Sequence, residues 1–180
     1  MTTILLVRHG ETDWNLERRV QGHSDTPLNE TGRAQARALA DALGGESIDA
    51  VYSSDLLRAH ETARIVAESR GLDVTAIPDL RERDFGTWEG LTDDEIFTRF
   101  PESKSGTWGD AETREEMAQR VLAALQRIAA SHPDGHVLVV THGGPVRVVL
   151  AGCGVDGVGP IANCAVHRLG FEEDGFAAID

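Results

Sequence analysis

Two histidines occupy matching places in this chain. His9 lies in "LLVRHGETDWN" (residues 5–15) and His142 in "VVTHGG" (residues 139–144), each after an apolar run and before a glycine. Arg8 precedes the first. A further cation, Arg58, lies in "SSDLLRAHETA" (residues 53–63). A guanidinium fork matches phosphate oxygens bidentately. A neutral imidazole can attack phosphorus, and nearby arginines pull its pKa below the ordinary value of about 6.5, keeping it neutral. Each charge-assisted hydrogen bond to a bound phosphoryl group contributes roughly 1.5–3 kcal/mol. A leaving alkoxide still needs a proton. In "LRERDFGTWEG" (residues 80–90), Glu82, Asp84 and Glu89 are candidates that spacing alone leaves tied.

These residues need a scaffold that brings distant segments to one rim. Short apolar runs at Ile4–Val7, Ala50–Ser53, Val74–Pro78 and His136–Thr141 predict strands, the last with no polar alternation, as in a strand buried on both faces. Helical spacing predicts helices over Thr31–Leu43, Asp55–Glu68, Thr113–Ser131 and Gly143–Leu150, and a short one near Asp93–Phe100. Ser53 and Ser54 are placed to cap the second helix and leave its N–H groups for an anion. Ala165–Phe171 and Phe176–Ile179 read as a hairpin around "EEDG". The alternation predicts an α/β three-layer sandwich, a mainly parallel sheet with helices on both faces. Ligands of such sheets bind beyond the carboxyl ends of the strands, where Arg8-His9, Ser53-Ser54 and Thr141-His142 stand. Gly10 and Gly143 are expected to let backbone approach the ligand.

The 180 residues suit one domain over 1–180, with a short cover segment around 80–109. Lys and Arg number 17 against 30 Asp and Glu, a net charge of −13 that argues against a nucleic-acid or anionic-membrane partner. Cys153 and Cys164 form no disulfide framework, and no signal peptide or membrane-length run is evident, so the expected setting is cytoplasmic. Neither a P-loop nor a CxxC or HExxH zinc spacing occurs. Taken singly, either histidine reads as a core residue. Together with two arginines at matching strand ends they read as an anion site, and those arginines oppose a dication between the rings. Trp14, Trp88 and Trp108 read as core or pocket lining. His23, His60, His132, His136 and His167 carry no motif.

The four quoted stretches resemble, in order and across residues 4–150, the signatures of the histidine phosphatase superfamily in its phosphoglycerate-mutase-like branch. The resemblance implies the phosphoglycerate-mutase-like fold, a phosphohistidine on His9, and a phosphate pocket of Arg8, Arg58 and His142, with His142 cationic in the transition state. It selects Glu82 as proton donor and places Asn15, Thr12, Gln21, Gly22 and Gly143 at phosphate-side positions. It implies no metal and no cofactor. The partner expected is a small phosphorylated metabolite, with oligomeric state open. Leu80–Gly109 is shorter than the corresponding mutase segment, and its only basic residues are Arg81, Arg83, Arg99 and Lys104. A phosphomonoesterase is therefore expected. Phosphoglycerate mutase is the alternative, and a non-catalytic phospho-ligand domain the reading from another class.

Overall fold

The computed structural model describes residues 1–105, 111–172 and 175–179. The strands are β1 (Thr2–Arg8), β2 (Ala50–Ser53), β3 (Val74–Ala76), β4 (His136–Thr141), β5 (Val166–Glu172) and β6 (Gly175–Ile179). The α-helices are α1 (Asp13–Leu16), α2 (Glu30–Ala42), α3 (Leu57–Glu68), α4 (Asp93–Arg99), α5 (Arg114–Ser131) and α6 (Gly143–Gly152). One sheet runs in the order β3-β2-β4-β1-β5-β6. β3, β2, β4 and β1 are mutually parallel, while β5 runs antiparallel to β1 and to β6. The mainly parallel sheet is as expected, and the tail hairpin continues it along the far side of β1.

The apolar runs split by parity between two cores, as alternation of side chains across a strand requires. Ile4, Leu6, Val137 and Val139 pack with Val121, Leu125 and Ile128 of α5 and Val146 and Val149 of α6. Leu5, Val7, Leu138 and Val140 face the opposite layer, with Leu39 of α2 and Ala63 and Val66 of α3. Each such fully buried aliphatic side chain contributes about 1.5–3 kcal/mol. These layers fix the register: Arg8 pairs with Thr141 and Ser53 with Val140. Three parallel strands thus end level, and the residues just beyond them share one rim.

Two local expectations are corrected. α3 begins at Leu57, and the serines do not cap it: Ser53 Oγ meets His60 Nδ1 at 3.2 Å and Ser54 Oγ accepts from Leu56 N at 3.3 Å. Asp25 Oδ1, from a remote loop, instead accepts from Leu57 N at 2.6 Å. Gly10 answers packing rather than a ligand, since a Cβ there would meet Gly32 O at 2.5 Å. The converse contact is tighter still, a Cβ on Gly32 running into Glu11 O. Both neighbours are backbone and cannot swing aside. Gly32→Ala is therefore expected to lower unfolding free energy by about 1–3 kcal/mol, measured by urea denaturation; an unchanged midpoint would contradict this close approach. Trp108 and the turn residues Glu173 and Asp174 lie outside the described residues.

Candidate active site

His9 and His142 meet at the rim with ring centroids 5.1 Å apart and planes inclined by 61°. His9 Nδ1 lies 2.7 Å from Gly10 O. A carbonyl only accepts, so Nδ1 carries the hydrogen and the neutral ring keeps its lone pair on Nε2. Both rings are almost wholly buried, at 3% and 0% exposure. Burial, reinforced by Arg58 and Arg8, holds His9 well below the ordinary histidine value; burial, Arg58, His9 and Arg8 do the same for His142. Both imidazoles are neutral before an anion arrives. The cationic His142 implied by the resemblance therefore requires a bound dianion to offset the arginines. Neither ring nitrogen of His142 has a hydrogen-bond partner among the described residues, nor does Arg8 Nε or Arg58 Nε. Buried polar atoms without partners are costly; a neutral His142 supplies one donor and one acceptor and each arginine one donor, and these mark a site organised for an anion.

Arg58 is 1% exposed, and the groups that hold it are backbone carbonyls. It donates to Gly22 O at 2.7 Å and Ser24 O at 2.8 Å. Burial pulls it down to about 10, against the attraction of Glu82, so it stays charged at neutral pH. The carbonyls are aimed by Glu89, whose carboxylate accepts from His23 N (2.7 Å), Ser24 N (2.7 Å), Ser24 Oγ (2.6 Å) and Phe85 N (3.2 Å). Gly22 has a φ of +51°, and a Cβ there would collide with Glu89 Oε1. Glu89 is thus saturated with donors. Arg8 donates Nη1 to Ile161 O, and Asn163 Nδ2 donates to His9 O at 3.0 Å, so the loop before β5 pins the first strand's end.

Glu82 lines the cavity with Arg8, His9, Gln21, Gly22, Arg58 and Gly143 around a space of about 210 Å³. Its Oε2 accepts from Gly144 N at 2.9 Å and its Oε1 from Arg83 N at 2.9 Å. A Cβ on Gly144 would collide with Glu82 Oε1, whereas one on Gly143 would meet only ordinary contact with Arg8 Nε at 3.7 Å. The close approach expected at Gly143 thus belongs to Gly144. The helix N-terminus at the cavity is that of α6, not α3. Asp84 accepts from Gly86 N at 2.8 Å and lies 3.7 Å from His23 Nδ1. Arg120 of α5 fixes the strand of chain bearing Glu82, donating to the carbonyls of Asp79 (3.0 Å), Arg81 (2.7 Å) and Glu82 (2.7 Å). His23 Nε2 donates to Glu82 O at 2.8 Å.

Thr12 and Asn15 stand behind the wall. They form a capping box on α1, and Thr12 Oγ1 lies 3.1 Å from Gln21 Oε1. Trp88 is buried and stacks on Phe100 with centroids 6.2 Å apart, and Trp14 packs over Gly90. Neither tryptophan is among the cavity residues. Sequence reasoning missed Glu89 as a structural anchor, His23, Arg120 and Asn163. The last two carry no motif signal, and His23 and Glu89 are legible only through the loop contacts.

Known proteins resemble this chain in sequence and fold. Residues 4–179 match the model of the histidine phosphatase superfamily (branch 1). A metal-independent phosphoserine phosphatase of Arabidopsis thaliana is 42% identical over 160 residues, 83% of this chain and 67% of that one. A probable phosphoglycerate mutase, GpmB, of Enterobacter sp. is 36% identical over 196 residues, covering 99% and 89%. The solved structure of Bacillus stearothermophilus YhfR superposes with a TM-score of 0.92 at 34% identity, over 99% of this chain and 95% of that one. A match over nearly the whole length, with relatives well above 30% identity, admits one conclusion: the chain belongs to the histidine phosphatase superfamily, branch 1.

Proposed function

We propose that this protein hydrolyses phosphomonoesters of small metabolites through a phosphohistidine on His9. The observation that carries the reading is His9 Nδ1–H fixed on Gly10 O, beside buried Arg58, half-buried Arg8 and a His142 whose ring nitrogens have no hydrogen-bond partner among the described residues, with burial and both arginines favouring the neutral His9 ring. His9 Nε2 attacks phosphorus, the ester P–O bond breaks, and the carboxyl proton of Glu82 passes to the departing oxygen. Water then attacks the phosphohistidine, gives its proton to Glu82, and inorganic phosphate leaves. Arg8, Arg58 and His142 stabilise charge on the equatorial oxygens. Gln21, Gly22 and Gly143 line the phosphate side, with Thr12 and Asn15 positioning Gln21 from behind. The reading includes no metal and a reduced, cytoplasmic setting, in keeping with two free cysteines. No helix among the described residues is long and apolar enough to cross a membrane.

Phosphatase names and mutase names both occur among the relatives. Hydrolysis is favoured by the shortness of the segment after β3, which leaves little chain to exclude water. The expected result is metal-independent release of phosphate from p-nitrophenyl phosphate, with vanadate inhibiting competitively. Conversion of 3- to 2-phosphoglycerate, primed by 2,3-bisphosphoglycerate and faster than phosphate release, would overturn hydrolysis in favour of mutase activity.

A further inference from the structure

His23 stands between two pieces of the active site that come from distant parts of the chain. On one side is the turn Gln21–Ser24, closed by Ser24 N on Gln21 O at 2.9 Å. The carbonyls flanking His23, those of Gly22 and Ser24, accept from Arg58 Nη2 and Nη1 at 2.7 and 2.8 Å. On the other side is the stretch of chain bearing Glu82. The half-buried His23 ring crosses to it, with Nε2–H on Glu82 O at 2.8 Å and Nδ1 facing Asp84 Oδ2 at 3.7 Å. The second lone pair of the same carbonyl is taken by Arg120 Nη2 at 2.7 Å. Glu82 O is thus gripped from α5 on one flank and from the phosphate-side turn on the other. The backbone of His23 is held as well, its N–H on Glu89 Oε1 at 2.7 Å. With ring and backbone both fixed, a shift of Glu82 is passed to the two carbonyls that aim Arg58, and the reverse.

The linkage meets a physical need. Arg58 and Glu82 line the same cavity of about 210 Å³. In a bound ester the distance from phosphorus to the departing oxygen is set by covalent geometry, so the cation on the phosphoryl group and the acid on the leaving oxygen have to keep one spacing. A misplacement of about 1 Å can cost about 10²-fold in rate. We propose that His23 is a positioning residue that couples Arg58 to Glu82 through its Nε2–H on Glu82 O. The proposal deepens the hydrolase reading and rests on it for the role of Glu82 as acid, though not for the grip on Arg58.

Three substitutions separate reach from polarity. His23→Gln carries an N–H at about the reach of Nε2, His23→Asn carries one only where Nδ1 stood, and His23→Leu carries none. Each is assayed for inorganic phosphate binding by calorimetry and for kcat and KM on glycerol 2-phosphate, with urea unfolding to express both per folded molecule. His23→Asn and His23→Leu should bind phosphate about tenfold more weakly and lower kcat by about tenfold or more, while His23→Gln stays within about threefold of the parent in both. A residue that merely stabilised the turn would shift the unfolding midpoints and leave the folded molecules alike. His23→Gln no better than His23→Asn in phosphate affinity, or all three variants within about threefold of the parent in both assays, would overturn the coupling and leave hydrolysis by the parent standing. If no ester is hydrolysed even by the parent, while phosphate affinity is kept in His23→Gln and lost in the other two, the grip of His23 on Arg58 is supported and the hydrolase reading fails.

Discussion

His9→Ala should release phosphate from p-nitrophenyl phosphate at least about 10⁴-fold more slowly than the parent, the scale on which loss of a covalent nucleophile is felt. Brief incubation of the parent with ³²P-labelled substrate should leave acid-labile, base-stable label on the chain, and His9→Ala should carry none. Activity retained within tenfold would end the covalent mechanism. The same variant has a second consequence. In the folded protein His9 and His142 are buried and neutral, their pKa values held well below 6.5. In the unfolded chain each takes up a proton near pH 6.5. Below that pH the unfolded state binds more protons, so stability is full above about 6.5 and falls as the pH drops. Each ring costs about 1.4 kcal/mol per pH unit in that window. Between pH 6.5 and 5, His9→Ala should therefore lose stability less steeply than the parent, by about one histidine's share. Parallel curves from urea unfolding would mean that His9 titrates alike in the folded and unfolded chain, and that the fold does not hold its ring neutral below pH 6.5.

The convergence of the histidines was legible because it is a property of topology. Two strands with apolar runs buried on both faces belong inside a parallel sheet, and each run ends two residues before its histidine. Nothing finer than strand order is needed to bring the rings together. The tie among Glu82, Asp84 and Glu89 was not breakable from spacing because it depends on what else each carboxylate touches. Glu89 is held by three backbone N–H groups and a hydroxyl, while Glu82 keeps an edge on the cavity. The helix cap at Leu57 failed as an expectation for a similar reason. Local serines were in reach, but Asp25, 32 residues away, occupies the site, and no periodicity encodes such a contact. Of the basic residues in 80–109, only Arg83 lines the cavity of about 550 Å³ beside the phosphate pocket; Arg114 and Arg147, which also line it, come from α5 and α6, and spacing does not encode that those helices fold back beside it. Arg120 shows the same limit: its charge reads as surface, yet its guanidinium clamps three carbonyls around Glu82.

Glu82→Gln separates a proton donor from a strut, because the two roles respond differently to the leaving group. The amide keeps one oxygen, enough for the N–H of either Gly144 or Arg83, which the carboxylate meets with different oxygens, so some local geometry is disturbed for every substrate alike. What it lacks is a transferable proton. p-Nitrophenolate departs as a stable anion and hardly needs one, so its kcat/KM, which reports formation of the phosphohistidine and not its Glu82-assisted hydrolysis, should fall less than about tenfold. An alkyl phosphate, such as a glycerol or sugar ester, expels a strongly basic alkoxide, and its rate should fall by about 10²–10⁴-fold, the span of general acid catalysis. Arg120→Gln would displace the same carboxylate without removing it, and should slow both substrates by similar factors, since misplacement also disturbs the wall of the phosphate pocket. A uniform loss in Glu82→Gln would make Glu82 a strut as well, and the acid would have to be sought elsewhere. Asp84 is then the remaining choice, for Glu89 cannot turn toward the ester without releasing the loop whose carbonyls hold Arg58.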